Sequence, residues 1–221
     1  MEPERRLVMT VDAERSPGRV DRRRQRTRSA LLRAARHLLA EGRTSASIQE
    51  ITEAADVGFG SFYNHFDSKD ELFEAAVTQT LQAYVDLRDA VVAGYDDPAE
   101  IFTVSFRMTG RLHQQHPDLV RVLLNTGPRI LVHDAGLAPR ARQDIAAAKE
   151  AGRFDLDNVD LALMAAGGAM LGLFQLLESQ PDADAAALTD QMTFSVLRMF
   201  GMTKRQATAL CSRPLPPQPD L

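Results

Sequence analysis

Residues 47–73 read SIQEITEAADVGFGSFYNHFDSKDELF, and this stretch decides the architecture. Ser47 precedes a helical pattern and has Glu50 three residues on, the spacing of a capping box. Ile48, Ile51, Ala54 and Ala55 fall on one helical face. Asp56-Val57-Gly58 interrupts the pattern as a tight interhelix turn does. A second short helix follows, in which Phe62 and Phe66, spaced i, i+4, point inward and leave Ser61, Tyr63, Asn64 and His65 outside. Asp67-Ser68 then breaks the chain and Lys69 opens a third helix. Two short helices joined by a turn, the second exposing polar and aromatic groups, form a helix-turn-helix of the kind that offers its second helix to a DNA major groove.

The charge distribution points the same way. The net charge is −4, yet Arg15, Arg19, Arg22, Arg23, Arg24, Arg26, Arg28, Arg33 and Arg36 lie within residues 15–36 beside a single acid, Asp21. A basic block on an otherwise acidic chain implies a confined contact with a polyanion. Next to a helix-turn-helix, that means phosphate. The lone Cys211 rules out a disulfide framework and a cysteine metal quartet, which fits a reducing cytoplasm. The first twenty residues are charged and lack an apolar run, so no signal peptide is expected.

The segment resembles the DNA-binding region of the tetracycline-repressor (TetR) family of bacterial transcription regulators. The family pattern is a Thr/Ser-capped helix, an Ala-rich end, a Gly/Val turn, a helix with Leu/Phe-Tyr-x-(His/Tyr)-Phe, a short break and a Lys. Here these are Ser47, Ala54-Ala55, Val57-Gly58, Phe62-Tyr63-Asn64-His65-Phe66 and Lys69. The match covers roughly residues 25–75. It implies a homodimer that binds a palindromic operator on double-stranded DNA and leaves it when a small molecule enters the C-terminal domain. Phe59 departs from the family, many members of which carry a polar or basic residue there; contact with a thymine methyl is the substitute expected.

The expected fold is all-α with about nine helices: an N-terminal three-helix DNA-binding bundle and a C-terminal helical ligand-binding and dimerisation bundle. Residues 1–21 read as a disordered basic arm, 22–68 as the DNA-binding domain, 69–210 as the second domain and 211–221 as a disordered Pro-rich tail. The first helix, over 22–41, buries Leu31, Ala34, Ala35, Leu38 and Leu39; the fourth, over 69–92, buries Leu72, Phe73, Ala76, Ala83, Leu87 and Ala90. A helix over 98–115 carries two apolar stripes, one of Ile101, Val104, Met108 and Leu112 and one of Phe102, Phe106, Thr109 and His113. Such a helix is sandwiched or lines a cavity. Residues 129–136 read as helix. Further helices are expected at 117–125, 138–151, 157–179 and 183–200, and Thr203 with Gln206 opens a final turn.

Expected DNA contacts are Arg26 and its neighbours, Ser47, Tyr63, His65 and Lys69 to phosphate, with Gln49, Phe59, Gly60, Ser61 and Asn64 facing bases. Phe102, Phe106, Met108, Met164, Met170 and Phe174 fit either a plain core or a ligand cavity; the resemblance, which places a cavity among helices 5 to 8, favours the cavity. Met and Phe suit a small apolar effector. His113 and Asn125, with Arg129 and Gln175, are the candidate polar handles. Leu161–Leu177 has no charge, but it is short for a membrane span and lacks Lys/Arg anchors, so no membrane contact is expected. Its Gly168 and Gly172 allow a close helix approach. With Met192, Val196 and Met199 of the next helix they form the expected dimer interface. His113 and His116, spaced i, i+3, have no acidic or Cys ligand at helical spacing, so neither metal nor cofactor is expected. Gly-rich phosphate loops, GxSxG and HExxH are absent from the sequence, and the chain reads as a non-enzyme.

Overall fold

The computed structural model describes residues 18–132 and 136–217. Among them it has ten α-helices and no strand: α1 Arg19–Ala40, α2 Ile48–Ala54, α3 Phe59–Phe62, α4 Lys69–Val92, α5 Pro98–Gln115, α6 Pro117–Thr126, α7 Leu137–Glu150, α8 Val159–Ser179, α9 Ala185–Met199 and α10 Lys204–Cys211, with a 3₁₀ segment at Gly127–Val132.

Local chemistry sets the boundaries. At the end of α1, Gly42 takes the left-handed backbone, φ 72°. Arg43 N–H then donates to Leu38 and Gly42 N–H to Leu39, closing a Schellman motif. The capping box at Ser47 forms as its spacing requires: Glu50 N–H donates to Ser47 Oγ at 3.2 Å and Ser47 N–H to Glu50 Oε2 at 2.8 Å. The same motif opens α10 at Thr203 and Gln206. The turn between α2 and α3 places Asp56 at φ 53°, a left-handed position that Asp tolerates better than most residues.

The stripe of α1 packs as its spacing requires, with Leu31, Ala34, Ala35, Leu38 and Leu39 all buried. Phe62 and Phe66 close the small bundle, both essentially inaccessible. α1 in turn packs on α4 and α6, which joins the DNA-binding unit to the larger bundle. There α5 is central. Its Phe102 meets Phe106, Phe154 and Phe200 with ring centroids 5.4–5.8 Å apart. Gly110 lets α9 approach closely, since a Cβ at that position would lie 2.3 Å from Thr189 Cγ2. α5 serves two cores, with Leu112 of its first stripe in the main one. Phe102 and Phe106 belong to the main one; Val104 and Met108 join Val92, Tyr95 and Leu215 in a smaller one.

Several expectations are corrected. α1 begins at Arg19, so the expected boundary at residue 21 falls inside a helix; residues 1–17 of the expected arm lie outside the described residues. In α2, Ala54 is exposed and Thr52 is buried, its hydroxyl donated to Gln49 O. The second half of α4 is rotated from the expected phase. Ala83 and Ala90 are exposed, while Leu81, Tyr84, Val85, Arg88 and Val92 are buried. Alanines contribute little burial energy, and the larger side chains set the rotation. Tyr84 and Arg88 are admitted because each finds partners inside. Residues 127–132 form a 3₁₀ segment rather than α-helix, and 133–135 lie outside the described residues. The start of the tail is packed: Arg107 Nη1 donates to Arg213 O at 2.7 Å, Arg213 pairs with Glu100, and Leu215 joins the smaller core.

Candidate functional site

Two regions bear on function, an outward surface around α3 and a cavity inside the larger bundle. On α3, Phe59 and Tyr63 stand about half exposed with rings edge to face at 6.0 Å, despite their large apolar area. Gly60 lies between them, and a Cβ there would meet nothing within 4 Å. The result is an open surface bounded by two rings. Ser61 is half-buried and Asn64 exposed on the same short segment. Gln49 is exposed on α2, where its amide donates to Glu53 Oε1 at 2.9 Å.

The expected phosphate contacts divide into free and engaged groups. Ser47 is taken up by its capping box with Glu50. Lys69 Nζ reaches the carbonyls of Ser45 and Ala46 at 3.4 and 3.5 Å, tying the start of α4 to the loop ahead of α2. Arg24 Nη2 donates to Asn64 O at 3.4 Å, and the Arg28 guanidinium lies 5.1 Å from the centre of the Phe66 ring. Burial, with Arg24 and Arg28 nearby, pushes the His65 imidazole below its ordinary range. His65 is therefore neutral at pH 7 in the free protein. Arg26 is exposed and lines a groove with Asp56 and Val57.

The cavity, of about 110 Å³, lies among α4, α5, α6, the 3₁₀ segment, α7 and α8. Phe102, Phe106, Met170 and Phe174 line it, joined by Leu123, Ile130, Leu131, Leu163 and Ala166. Four other candidates lie elsewhere. Met108 is fully buried in the smaller core, on the opposite stripe of α5. Met164 packs against the main core away from the cavity. Asn125 turns outward and donates its amide to Leu39 O at 2.7 Å, a link from α6 to α1. His113 Nε2 sits 3.2 Å from Glu178 Oε1 without a directed hydrogen bond. Arg129 and Gln175, the other two expected handles, are also exposed away from it.

The polar end of the cavity comes from residues that sequence reasoning passed over: Arg88, Ser105, Thr109, Arg140 and Asp144. Arg88 Nε donates to Ser105 Oγ at 2.9 Å, Nη1 to Asp89 at 2.6 Å and Nη2 to Asp144. Arg140 Nε donates to the other oxygen of Asp89 at 2.9 Å. Burial opposes the Arg88 charge, but Asp144 and Asp89 outweigh it and hold the guanidinium above its ordinary range. Burial pushes the Asp144 carboxyl up against the pull of Arg88. Thr109 gives its proton to Ser105 O at 2.8 Å, so the 3.1 Å contact with Tyr84 is donated by the phenol. An apolar chamber thus ends in a charged, hydrogen-bonding wall. The available signal was Arg88 itself, set between Val85 and Val92 on a buried helix face.

On the outside of α8 and α9 lies a further surface with small and apolar residues. A Cβ on Gly168 or Gly172 would meet nothing within 4 Å, so both face away from the fold. Leu161 and Met199 are exposed and Met192 is half-buried. Val196 is not part of this face; it is buried on the same side of α9 as Thr193 and Leu197. By length and composition α8 is apolar enough to cross a membrane. Its Leu163, Ala166, Met170, Leu173, Phe174 and Leu177 are nonetheless buried within the fold.

Two family models match the chain, "bacterial regulatory proteins, tetR family" over residues 31–76 and "tetracyclin repressor-like, C-terminal domain" over residues 97–213. The chain belongs to the TetR family of bacterial transcription regulators. RolR, solved in complex with resorcinol, is 31% identical over 90% of this chain and 99% of its own, with a TM-score of 0.63. The ligand-free RolR structure is 30% identical over 86% of this chain and all of its own, with a TM-score of 0.69. The regulator TcmR of Streptomyces glaucescens is 30% identical over 99 residues, 44% of this chain and 43% of that protein. FadR of Bacillus subtilis, solved with stearoyl-CoA, is 12% identical at a TM-score of 0.61 and shares the fold alone. The first matched segment holds α2, α3 and the start of α4 and the second holds α5 to α10, while Arg24, Arg26 and Arg28 of α1 and Arg88 of α4 lie outside both.

Proposed function

We propose that this TetR-family protein is a dimeric repressor that binds a palindromic operator and is released from it by a small ring compound. The observation that carries the reading is the cavity. Its volume of about 110 Å³ is close to the scale at which an apolar protein cavity accepts benzene, about 150 Å³. Its walls are Phe, Leu, Ile and Met, and one end carries Arg88, Arg140 and Asp144. That combination suits a monocyclic aromatic bearing hydroxyl groups. The ring would fill the apolar part, and a hydroxyl would donate to the unfilled lone pairs of Asp144 or accept from Arg140. RolR, solved with resorcinol, is a relative of the same class and supports the choice. A long acyl chain would need more room.

In this reading Tyr63 holds a phosphate, while Phe59, Gly60, Ser61 and Asn64 meet base edges, with Gln49 at the start of α2. Phe59 offers a ring to a thymine methyl. The outward faces of α8 and α9, with Gly168, Gly172, Met192 and Met199, join two protomers, so that two copies of α3 address two half-sites. The protein acts in the cytoplasm, where the DNA is. Selection of binding sites from a random-sequence duplex pool tests the reading. The expected product is a two-fold symmetric motif bound with strong salt dependence; recovery of no motif, with no salt-dependent retention of DNA, would reject it.

A further inference from the structure

The first three turns of α1 carry no core. Residues 19–30 include no buried position, only Thr27 and Ala30 are half-buried, and Val20 is 80% exposed. Yet the segment is helical, capped at Gly18 by Asp21, whose carboxylate accepts the Gly18 N–H at 3.2 Å. Arg19, Arg22, Arg23, Arg24, Arg26 and Arg28 crowd onto it. Arginine is a good helix former, but Arg19/Arg23, Arg22/Arg26 and Arg24/Arg28 are like-charge pairs at i, i+4 and repel. Among the described residues, no carboxylate lies within ion-pair distance of Arg19, Arg22, Arg23 or Arg26. The one acid, Asp21, is spent on the helix's own end. The repulsion on this helix is thus left unrelieved among the described residues, and an external polyanion would remove it.

Its placement says which polyanion. Arg24 grips the backbone carbonyl of Asn64, and Arg28 covers Phe66, so the base of the extension is braced against the end of the recognition segment. Arg22 and Arg26 line an open groove with Ala55, Asp56 and Val57 of the helix-turn-helix. We propose that residues 19–30 of α1 form a second DNA-contacting element, a rigid helix that lies along the phosphate backbone outside the half-site read by α3. Arg19, Arg22 and Arg26, at i, i+3 and i+7, form its phosphate-facing stripe, while Arg24 and Arg28 hold it against the helix-turn-helix. At about 1.5 Å per residue the twelve residues span about 18 Å. At about 3.4 Å per base pair that is about five base pairs of flanking duplex on each side of the operator. Flanking phosphates thereby become part of the binding site, although no base there is read. The proposal rests on the DNA-binding reading above.

The test compares the full-length protein with the triple variant Arg19→Gln, Arg22→Gln, Arg26→Gln on a selected operator carrying eight flanking base pairs on each side. Gln keeps helix propensity while removing charge. Wild type should protect about five flanking base pairs per side from hydroxyl radical, and the variant should lose that outer protection while keeping the half-sites. The slope of log affinity against log salt should become shallower by about 5 in the two-protomer complex, about 0.9 for each of six phosphate contacts. Trimming the flanks should weaken wild type and leave the variant unaffected, an arm that stands even if the variant binds poorly. Unchanged outer protection and slope would overturn the proposal while leaving the half-site reading intact. Absence of any half-site protection by wild type would overturn both.

Discussion

Asp144→Asn should destabilise the protein far more than a surface change does, because of what it leaves behind. Arg88 is 6% exposed at its side chain and sits against Asp144, Asp89 and Ser105. Removing the Asp144 charge strands a buried guanidinium beside Asp89, which is itself shared with Arg140 at 2.9 Å. Breaking a buried pair from one side costs about 3–5 kcal/mol, and retention of Asp89 places this case near about 3. For a chain of this size the melting temperature should fall by about 6–12 °C. The double variant Arg88→Met, Asp144→Leu removes both charges and should recover most of the loss, since apolar replacements of a buried pair are often near neutral. It should also weaken binding of a ring hydroxyl, for which Arg140 alone remains. Thermal unfolding followed by circular dichroism at pH 7 gives the comparison. A single variant that melts within about 2 °C of wild type would show that Arg88 and Asp144 are not a buried charge pair. A double variant as unstable as the single would show that uncompensated charge is not the cause.

Tyr63→Ala should weaken binding to operator and random duplex about equally, whereas Asn64→Ala should cost about 1–3 kcal/mol on the operator alone; equal losses on both DNAs for Asn64→Ala would show that it reads no base. The depressed His65 pKa makes DNA affinity pH-dependent. The ring is neutral in the free protein at pH 7, and a phosphate against it would raise its pKa, so binding takes up a proton. Affinity should then rise as pH falls below neutrality, and His65→Gln should flatten the profile; identical profiles for the two proteins would remove His65 from the interface. Leu176→Glu puts a charge on the outward face of α8 and should give monomers by sedimentation at micromolar concentration, with operator binding reduced; an intact dimer would place the interface elsewhere.

The helix-turn-helix was legible because its signals are local. The capping box at Ser47, the turn at Asp56–Gly58 and the Phe62/Phe66 pair need only neighbours within one or two helical turns. The phase of α4 was not, because Ala83 and Ala90 look apolar while Tyr84 and Arg88 look polar. Only the partners across the bundle, Thr109 on α5 and Asp144 on α7, decide that the second pair goes inside. The same long-range pairing hid the polar end of the cavity: Arg88 and Asp144 are 56 residues apart in sequence. Four of the ten ligand candidates, Phe102, Phe106, Met170 and Phe174, line the cavity, and they lie on helix faces that periodicity identifies. Met108 lies off the cavity because α5 has two apolar stripes, and only the fold shows that one of them faces α4 and the tail. The place of Asn125 is not legible because its amide's partner, Leu39 O, is 86 residues away across the α1–α6 junction. Nor is the burial of Val196, because the apolar pattern of α9 does not distinguish its two faces.

Coupling between the ring-sized cavity and the DNA surface is open to a reciprocal binding measurement. Fluorescence anisotropy of a labelled operator gives DNA affinity with and without saturating resorcinol; calorimetry gives resorcinol affinity with and without saturating operator. Coupling is a shared free energy, so the two factors must be equal. A hundredfold loss of operator affinity corresponds to about 2.7 kcal/mol and requires a hundredfold loss of resorcinol affinity on DNA. The coupling requires matched losses of this kind, both reduced in the Arg88→Met, Asp144→Leu variant while its operator binding persists. Resorcinol bound in the cavity with no change in operator affinity, or operator binding that is lost without a reciprocal effect on the ligand, would contradict it.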